Sequence, residues 1–202
     1  KLKMPLYVMV SESPSELDFW IKSGPLKTNL LDVRSFKFYS DGSLGSRGAL
    51  MRESYSDREN HFGFEVRSFD YMKSAAERLF NNGWQMNTHS IGDSANRRML
   101  NIYKKIYQYT KKKDLRWRIE HAQIVHPDDR STFGLGIIPS VQPSHATSDM
   151  SWSMDRIGPE RISYAYSYSS LRKSSGGILP LGTDFPVESM NPMYTIYAAI
   201  SR

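Results

Sequence analysis

Five apolar segments of this sequence each end in a polar or charged side chain, and this recurrence limits the fold more than any other feature. In residues 181–188, apolar residues lead through Gly182 to Asp184, and Pro186 follows closely. This pattern predicts a buried strand that stops abruptly and leaves a carboxylate at its end. The other four segments end at these residues: Lys37 with Asp41, His89 with Asp93, His121, and His145. Polar groups at the C-terminal ends of strands indicate a β/α barrel with its site on that face.

Strand-like and helix-like patterns alternate along the chain. We predict six strands, near residues 5, 33, 84, 117, 137 and 178. Helices are predicted over residues 15–22, 68–83, 94–109, 158–172 and 191–202, with a short helix opened by His126. Residues 43–67 are rich in Gly, Ser and Arg and show no period, so we predict a long loop, which in a compact domain is commonly functional. The alternation favours a parallel sheet.

The number of strands leaves two architectures open. A closed β/α barrel has eight strands and typically about 250 residues, so six strands predict a barrel that is incomplete at its front. An open doubly wound sheet also accepts six strands, but no Gly-rich phosphate loop follows the first one, which argues against a nucleotide-binding version. A chain of 202 residues that is 39% hydrophobic predicts one core and one domain.

Composition narrows the expected partners. The net charge of +6 would suit a nucleic-acid binder, but most of the excess lies in residues 97–98, 104–105 and 111–113 of one helical stretch. A solvated helix face explains it better, so we expect no nucleic-acid partner. The absence of Cys excludes disulfides and Cys metal sites. No apolar run approaches about 18 residues and no signal-peptide core follows Pro5, so we expect a cytoplasmic protein without membrane contact.

Five sequence blocks carry a resemblance to a known family. They are residues 36–49 (FKFYSDGSLGSRGA), 89–95 (HSIGDSA), 118–123 (RIEHAQ), 140–145 (SVQPSH) and 182–188 (GTDFPVE) with Asn191 and Pro192. In this order they resemble the signature blocks of amidohydrolase family 3, in the branch that includes N-substituted formamide deformylase-like enzymes. The resemblance implies a partial TIM (β/α)8 barrel of the metal-dependent hydrolase type. Residues 1–202 would form one partial catalytic domain that supplies strands three to eight.

The resemblance also implies roles for five residues. His89 and His121 resemble the metal ligands that follow strands five and six. Asp184 resembles the strand-eight carboxylate, which binds the metal, takes a proton from its water and passes it to the leaving group. Lys37 resembles the strand-four lysine that, when carboxylated, bridges two metals. His145 is similar to the residue after strand seven that contacts or polarises the substrate carbonyl.

The chemistry implied is hydrolysis of a carbon-nitrogen bond in a small amide or formamide. Asp41 and Arg47, in the loop after the Lys37 strand, are implied substrate contacts. The expected cofactor is a divalent metal, zinc above all, with one or two ions in the intact enzyme. Zinc lowers the pKa of bound water to about 7, and a nearby carboxylate can move the proton. Two imidazoles, a carboxylate and a lysine at strand ends suit this division of roles.

Each residue also has a structural interpretation. A single His at a strand end is more often a hydrogen-bonded structural group than a ligand, and Asp184 could cap the turn before Pro186. Lys37 could pair with a carboxylate inside the barrel, uncarboxylated. Two other functions therefore stay open: a non-catalytic ligand-binding or assembly module on the same scaffold, and a basic nucleic-acid binder.

The sequence departs from the family in one respect. The first strand of the family supplies a His-X-His pair, but no His precedes His61 here, and the small β-domain is also missing. We therefore expect a fragment that is inactive alone. It would be metal-free, or associated with another copy through an exposed sheet edge as a homo-oligomer.

Overall fold

A parallel sheet with helices packed against it forms the centre of the computed structural model, which describes residues 2–110 and 114–201. Its strands are β1 (Leu6–Ser11), β2 (Leu26–Lys27), β3 (Leu31–Tyr39), β4 (Gln85–Ser90), β5 (Arg118–His121) and β6 (Ile138–Ser140). The order is β1-β3-β4-β5-β6, all parallel, and β2 pairs antiparallel with β3. The predicted α/β class and parallel sheet are confirmed.

Seven α-helices are found in the described residues. They are α1 (Pro14–Ser23), α2 (Phe69–Asn81), α3 (Asp93–Gln108), α4 (Pro143–Ser148), α5 (Ser153–Ile162), α6 (Tyr168–Ser174) and α7 (Pro192–Ser201), and a 3-10 helix spans Pro127–Leu135. The hydroxyl of Ser68 caps α2 by accepting a hydrogen bond from the Tyr71 N–H, as the sequence predicts. No helix in the described ranges is long and apolar enough to cross a membrane.

Two predicted elements differ from the structure. The strand predicted near residue 178 is present as an isolated parallel bridge between Val141 and Leu181. The helix predicted over residues 158–172 is two helices, α5 and α6. Gly158 has a φ of 73° inside α5, so the chain kinks there and Pro159 continues in a new direction. The cationic residues 111–113 and the end of the last predicted helix, Arg202, lie outside the described residues.

The apolar core lies between the sheet and the helices α2 and α3. Phe36 and Phe38 of β3 are fully buried on the helix side, where the Phe36 ring packs 5.0 Å from that of Trp84. Burying an aromatic side chain stabilises the fold by about 1.5–3 kcal/mol. Lys37 and Tyr39 alternate with the two phenylalanines and point to the other face, which is more polar. That face carries the candidate site.

The predicted loop of residues 43–67 contains no helix or strand, and all of it is described. It is nevertheless well packed, because Leu44, Met51 and Tyr55 belong to a second buried cluster together with Ile91 and Ile157. The loop therefore covers the C-terminal ends of β3 and β4 as a fixed wall.

Candidate metal centre

The residues predicted to act in catalysis and metal binding converge on one pocket. It has a volume of about 640 Å³ and opens at the C-terminal ends of the parallel strands. Five predicted site residues line it: Lys37 of β3, His89 of β4, His121 of β5, His145 of α4, and Asp184 beyond the bridge at Leu181. The side chains come together because parallel strands place all their carboxyl ends at one edge of the sheet.

Three of these residues could hold a metal ion. One ligand atom from each of His121, His145 and Asp184 lies within 4.8 Å of the others. The Nε2 atom of His145 is 3.7 Å from Oδ2 of Asp184, and the ring of His145 stacks on that of His121 at 5.9 Å. Two imidazoles and a carboxylate are a donor set that suits zinc and related divalent ions.

Gln142 orients His121. Its Oε1 atom lies 2.8 Å from Nδ1 of His121, and both side chains are buried. A carbonyl oxygen only accepts, so Nδ1 carries the proton and Nε2 keeps its lone pair. Such a partner behind the ring is usual for metal-binding histidines. Gln142 lies within a sequence block that carries the resemblance, but the sequence alone does not show which side chain it contacts.

His89 lies beside this group. Its ring is 4.5 Å from that of His121, and its Nε2 atom faces the Gly42 carbonyl at 3.5 Å and Oδ1 of Asp41 at 3.6 Å. With Nε2 turned toward these acceptors, Nδ1 is the nitrogen left for a ligand. The three mutually close ligand atoms therefore belong to His121, His145 and Asp184. The sequence instead predicts His89 as a metal ligand and His145 as a substrate contact.

Burial keeps these imidazoles neutral. It lowers the pKa of His89 to about 4, with a further contribution from the charge of Lys37. Burial also lowers the pKa of His121 well below its ordinary value, and His89 and Lys37 act in the same direction. Neutral imidazole is the form that binds a metal ion.

Lys37 lies among carboxylates. Burial lowers the pKa of its ammonium, while the charges of Glu120 and Asp184 oppose that shift. Glu120 is 6% exposed, and its carboxylate pairs with Nε of Arg118 at 2.8 Å while its charge also acts on Lys37. The lowered pKa also enlarges the neutral amine fraction that carboxylation requires. The two interpretations of Lys37 both remain predictions.

Of the three predicted substrate contacts, His145 lines the pocket, whereas Asp41 and Arg47 lie elsewhere. Asp41 is 1% exposed, and its carboxylate accepts hydrogen bonds from the N–H groups of Leu50, Ile91 and Gly92 at 2.9, 3.1 and 2.8 Å. Burial raises the pKa of Asp41 to about 7, although the three N–H donors oppose that rise. Asp41 therefore ties the loop of residues 43–67 to the end of β4.

Arg47 is held in the same loop. Its Nε and Nη2 atoms donate to both carboxylate oxygens of Asp57, at 2.9 and 2.8 Å. Neither Asp41 nor Arg47 is among the pocket-lining residues of the described chain. The structure does not bring either residue to the pocket, because the carboxylate and the guanidinium are already engaged by the loop.

The backbone at the centre adopts an uncommon conformation. His121, Ala122 and Asp184 have φ values of 74°, 43° and 55°, a region that non-glycine residues rarely occupy. Each such residue costs of order 1–3 kcal/mol, and such costs concentrate at functional sites. Two of the three candidate ligands thus have strained backbone conformations, which persist only because the surrounding structure holds them.

Comparison with known proteins decides the family. A model of the amidohydrolase family matches residues 1–202, the whole chain. This chain belongs to amidohydrolase family 3. The structural neighbours confirm the prediction of a partial β/α barrel of the metal-dependent hydrolase type. Uncharacterized metal-dependent hydrolases from Pyrococcus furiosus and Pyrococcus horikoshii superpose on 100% and 97% of the chain, with TM-scores of 0.89 and 0.83, each at 31% identity.

Two curated relatives of the amidohydrolase are also similar in sequence. "Protein LONG AFTER FAR-RED 3" of Arabidopsis thaliana is 35% identical over 188 residues, and "Putative amidohydrolase YtcJ" of Bacillus subtilis (strain 168) is 28% identical over 188 residues. Each match covers 92% of this chain but 32% and 35% of the relative. The chain thus spans about a third of these curated relatives, and 41% and 39% of the two Pyrococcus chains.

Proposed function

We propose that this chain contributes the metal centre of a hydrolase that cleaves the carbon-nitrogen bond of a small amide or formamide. One observation carries the proposal: ligand atoms of His121, His145 and Asp184 lie within 4.8 Å of one another inside the pocket. The pocket volume of about 640 Å³ suits a small molecule. Family membership and the similarity to two metal-dependent hydrolases of Pyrococcus support hydrolysis and a divalent metal.

The metal would be held by His121, His145 and Asp184, with His89 and Lys37 beside them. We propose zinc, since neutral imidazoles and a carboxylate are its usual nitrogen and oxygen donors. When bound, a divalent metal supplies an activated water at neutral pH and polarises the scissile carbonyl. Burial of the two imidazoles supports the fit, because it keeps them unprotonated.

Asp184 is the residue we propose to move the proton. Its carboxylate is half-buried, and burial raises its pKa from the ordinary value of Asp toward neutral pH. A group with such a pKa is better suited to accept and release a proton at neutral pH. It can take a proton from the attacking water and deliver it to the departing nitrogen. His145, whose Nε2 is buried 3.7 Å from this carboxylate, would orient the substrate carbonyl or share the metal. The ammonium of Lys37 interacts with Asp184 and would stabilise the negative charge of its carboxylate.

Residues 1–202 supply no His-X-His pair. We therefore propose that these residues alone bind metal weakly and do not hydrolyse amides, since two family ligands are missing. Turnover by this segment alone would overturn that part of the proposal.

The experiment is zinc titration of metal-free protein by calorimetry, with elemental analysis of the loaded form. His121→Ala is expected to weaken zinc binding by at least about tenfold, because it removes a ligand. His126→Ala is the matched control, since His126 caps the 3-10 helix outside the pocket. Equal zinc affinity in wild type and His121→Ala would overturn the proposal. Small-molecule binding that chelators leave unchanged would favour a non-catalytic module.

A further inference from the structure

Beyond the candidate ligands, the pocket is lined by an indole and two further carboxylates. Trp152 lies against Gly45, so closely that a Cβ added to that glycine would meet the indole at 3.3 Å. Asp149 and Glu188 are the carboxylates, and Ser148 also lines the pocket. We call Asp149, Glu188 and Ser148 the acidic wall. The proposed function assigns nothing to it.

Asp149 is held rigidly. Its Oδ2 atom accepts hydrogen bonds from the Tyr166 hydroxyl at 2.7 Å and from Nε2 of Gln123 at 3.2 Å. Gln123 and Tyr166 are 4% and 5% exposed, and the N–H of Tyr166 donates to the Gln123 carbonyl at 2.7 Å. Both donors therefore belong to the buried framework. Within residues 2–110 and 114–201 no hydrogen bond reaches Oδ1, so this oxygen is left for a molecule in the pocket.

Glu188 reinforces the negative charge. Its Oε1 atom accepts a hydrogen bond from the Ser148 hydroxyl at 2.6 Å. Burial raises the pKa of Asp149, the hydrogen bond from Tyr166 and the charge of His145 oppose that rise, and the charge of Glu188 adds to it, as expected for two carboxylates that repel each other in one pocket. A cation placed beside the wall would relieve this repulsion.

No lysine or arginine among the described residues pairs with the wall, although the charge of His145 acts on Asp149 and the guanidinium of Arg156 lies over the Trp152 ring, 5.7 Å from its centroid. Among the pocket-lining residues that the structure describes there is no arginine, and the one lysine, Lys37, interacts with Asp184 and Glu120 instead. Arg47 and Arg156 lie nearby, but both pair with Asp57 and neither lines the pocket. A substrate carboxylate beside the wall would therefore meet two like charges, whereas an ammonium would meet two carboxylates and an aromatic face.

We propose that Asp149, assisted by Glu188, is a specificity-determining residue. It selects amides whose flat apolar part packs on Trp152 and carries an ammonium group. The same wall rejects amides with a carboxylate at that place. This inference rests on the proposed function, which gives the substrate as a small amide or formamide. It adds that the substrate carries a positive charge.

The test uses three formamides with one aryl body that carries an aminomethyl, a methyl or a carboxylate group at the end remote from the formamide. With a zinc-loaded protein that carries residues 1–202 together with the His-X-His strand of the family, kcat/KM is expected to be highest for the cation and lowest for the anion. Asp149→Asn is expected to raise KM for the cationic substrate about tenfold, change the neutral one by less than about threefold, and improve the anionic one. kcat should change little, because Asp149 touches no reacting atom.

Asp155→Asn is the matched control. Asp155 is exposed on α5 outside the pocket, so this substitution removes the same charge without changing the pocket lining. It is expected to leave the order and ratios unchanged. Tyr166→Phe keeps the charge but removes the hydroxyl that orients Asp149, so it should weaken the preference partly. Hydrolysis of all three substrates without charge preference, or equal responses of the three to Asp149→Asn, would overturn the inference while leaving the proposed function intact.

A second readout does not need turnover. Benzylammonium and benzoate are titrated into the metal-free protein by calorimetry, so that benzoate cannot bind zinc, with Asp149→Asn in parallel. Binding of the cation that Asp149→Asn weakens about tenfold supports the wall whether or not a formamide is hydrolysed. If that binding is found but the zinc-loaded protein with the His-X-His strand hydrolyses no formamide, the proposed function alone fails. Tighter binding of benzoate than of benzylammonium would overturn the inference.

Discussion

The Nε2 atom of His145 lies 3.7 Å from Oδ2 of Asp184, too far for a hydrogen bond and close enough for both atoms to bind one cation. The same Nε2 is buried without a hydrogen-bond partner in the part of the chain that the structure describes. A buried polar atom without a partner costs about 1–3 kcal/mol, so this arrangement is more favourable once an ion lies between the two side chains. His145 and Asp184 are therefore the pair to which the metal proposal is most sensitive.

Gln142 is expected to set metal affinity through His121. Gln142→Ala removes the acceptor 2.8 Å from Nδ1 and should weaken zinc binding about 10- to 100-fold, because the ring loses its orientation. Gln142→Glu keeps an oxygen acceptor and should retain most of the affinity. Zinc titration measures both, and Gln108→Ala, on the exposed end of α3, is the control. Unchanged zinc affinity in Gln142→Ala would show that the contact between Gln142 and His121 does not contribute to metal binding.

Asp41 is expected to act on stability and not on substrate. Asp41→Asn replaces a carboxylate that accepts from three backbone N–H groups by an amide with one oxygen. At least one buried N–H is then left unpaired, so the free energy of unfolding should fall by about 1–3 kcal/mol. Urea denaturation measures the loss. A stability equal to wild type, with a raised KM instead, would restore the substrate role that the resemblance implies.

Because burial raises the pKa values of Tyr71 and Tyr103, we expect the protein to lose stability at alkaline pH. Burial raises the pKa of Tyr71 to about 12, with help from Glu12, which accepts the hydrogen bond of its hydroxyl, and burial raises that of Tyr103 well above the ordinary value. An unfolded tyrosine titrates near pH 10, so above that pH the folded state binds more protons than the unfolded state. Stability from Tyr71 is therefore complete below about pH 10 and is lost as pH rises toward about 12.

Urea midpoints measured by circular dichroism at pH values from about 8 to 11 check this expectation. The midpoint should be level below about pH 9.5 and fall above it, and Tyr71→Phe should reduce the slope. Tyr109→Phe is the control, because Tyr109 is 86% exposed. A midpoint that stays constant to pH 11 would contradict the prediction.

Local pattern was sufficient for much of the fold. The alternation in β3 places Phe36 and Phe38 on one face and Lys37 on the other, since successive side chains of a strand point to opposite sides. The helical spacing before Asn81 and the cap at Ser68 likewise predict α2. These features depend on neighbours a few residues away, so they can be read from the chain directly.

The contacts between distant segments required the folded chain. Nothing near Asp41 in the sequence shows that its carboxylate turns inward to three N–H groups, and nothing near His121 identifies Gln142 as its partner. The choice between His89 and His145 as the neighbour of Asp184 depends on how the strands are packed, and so does the acidic wall beside Trp152. Periodicity decides which face a side chain occupies, but its partners across the pocket are set by the packing of the whole sheet, which no single segment encodes.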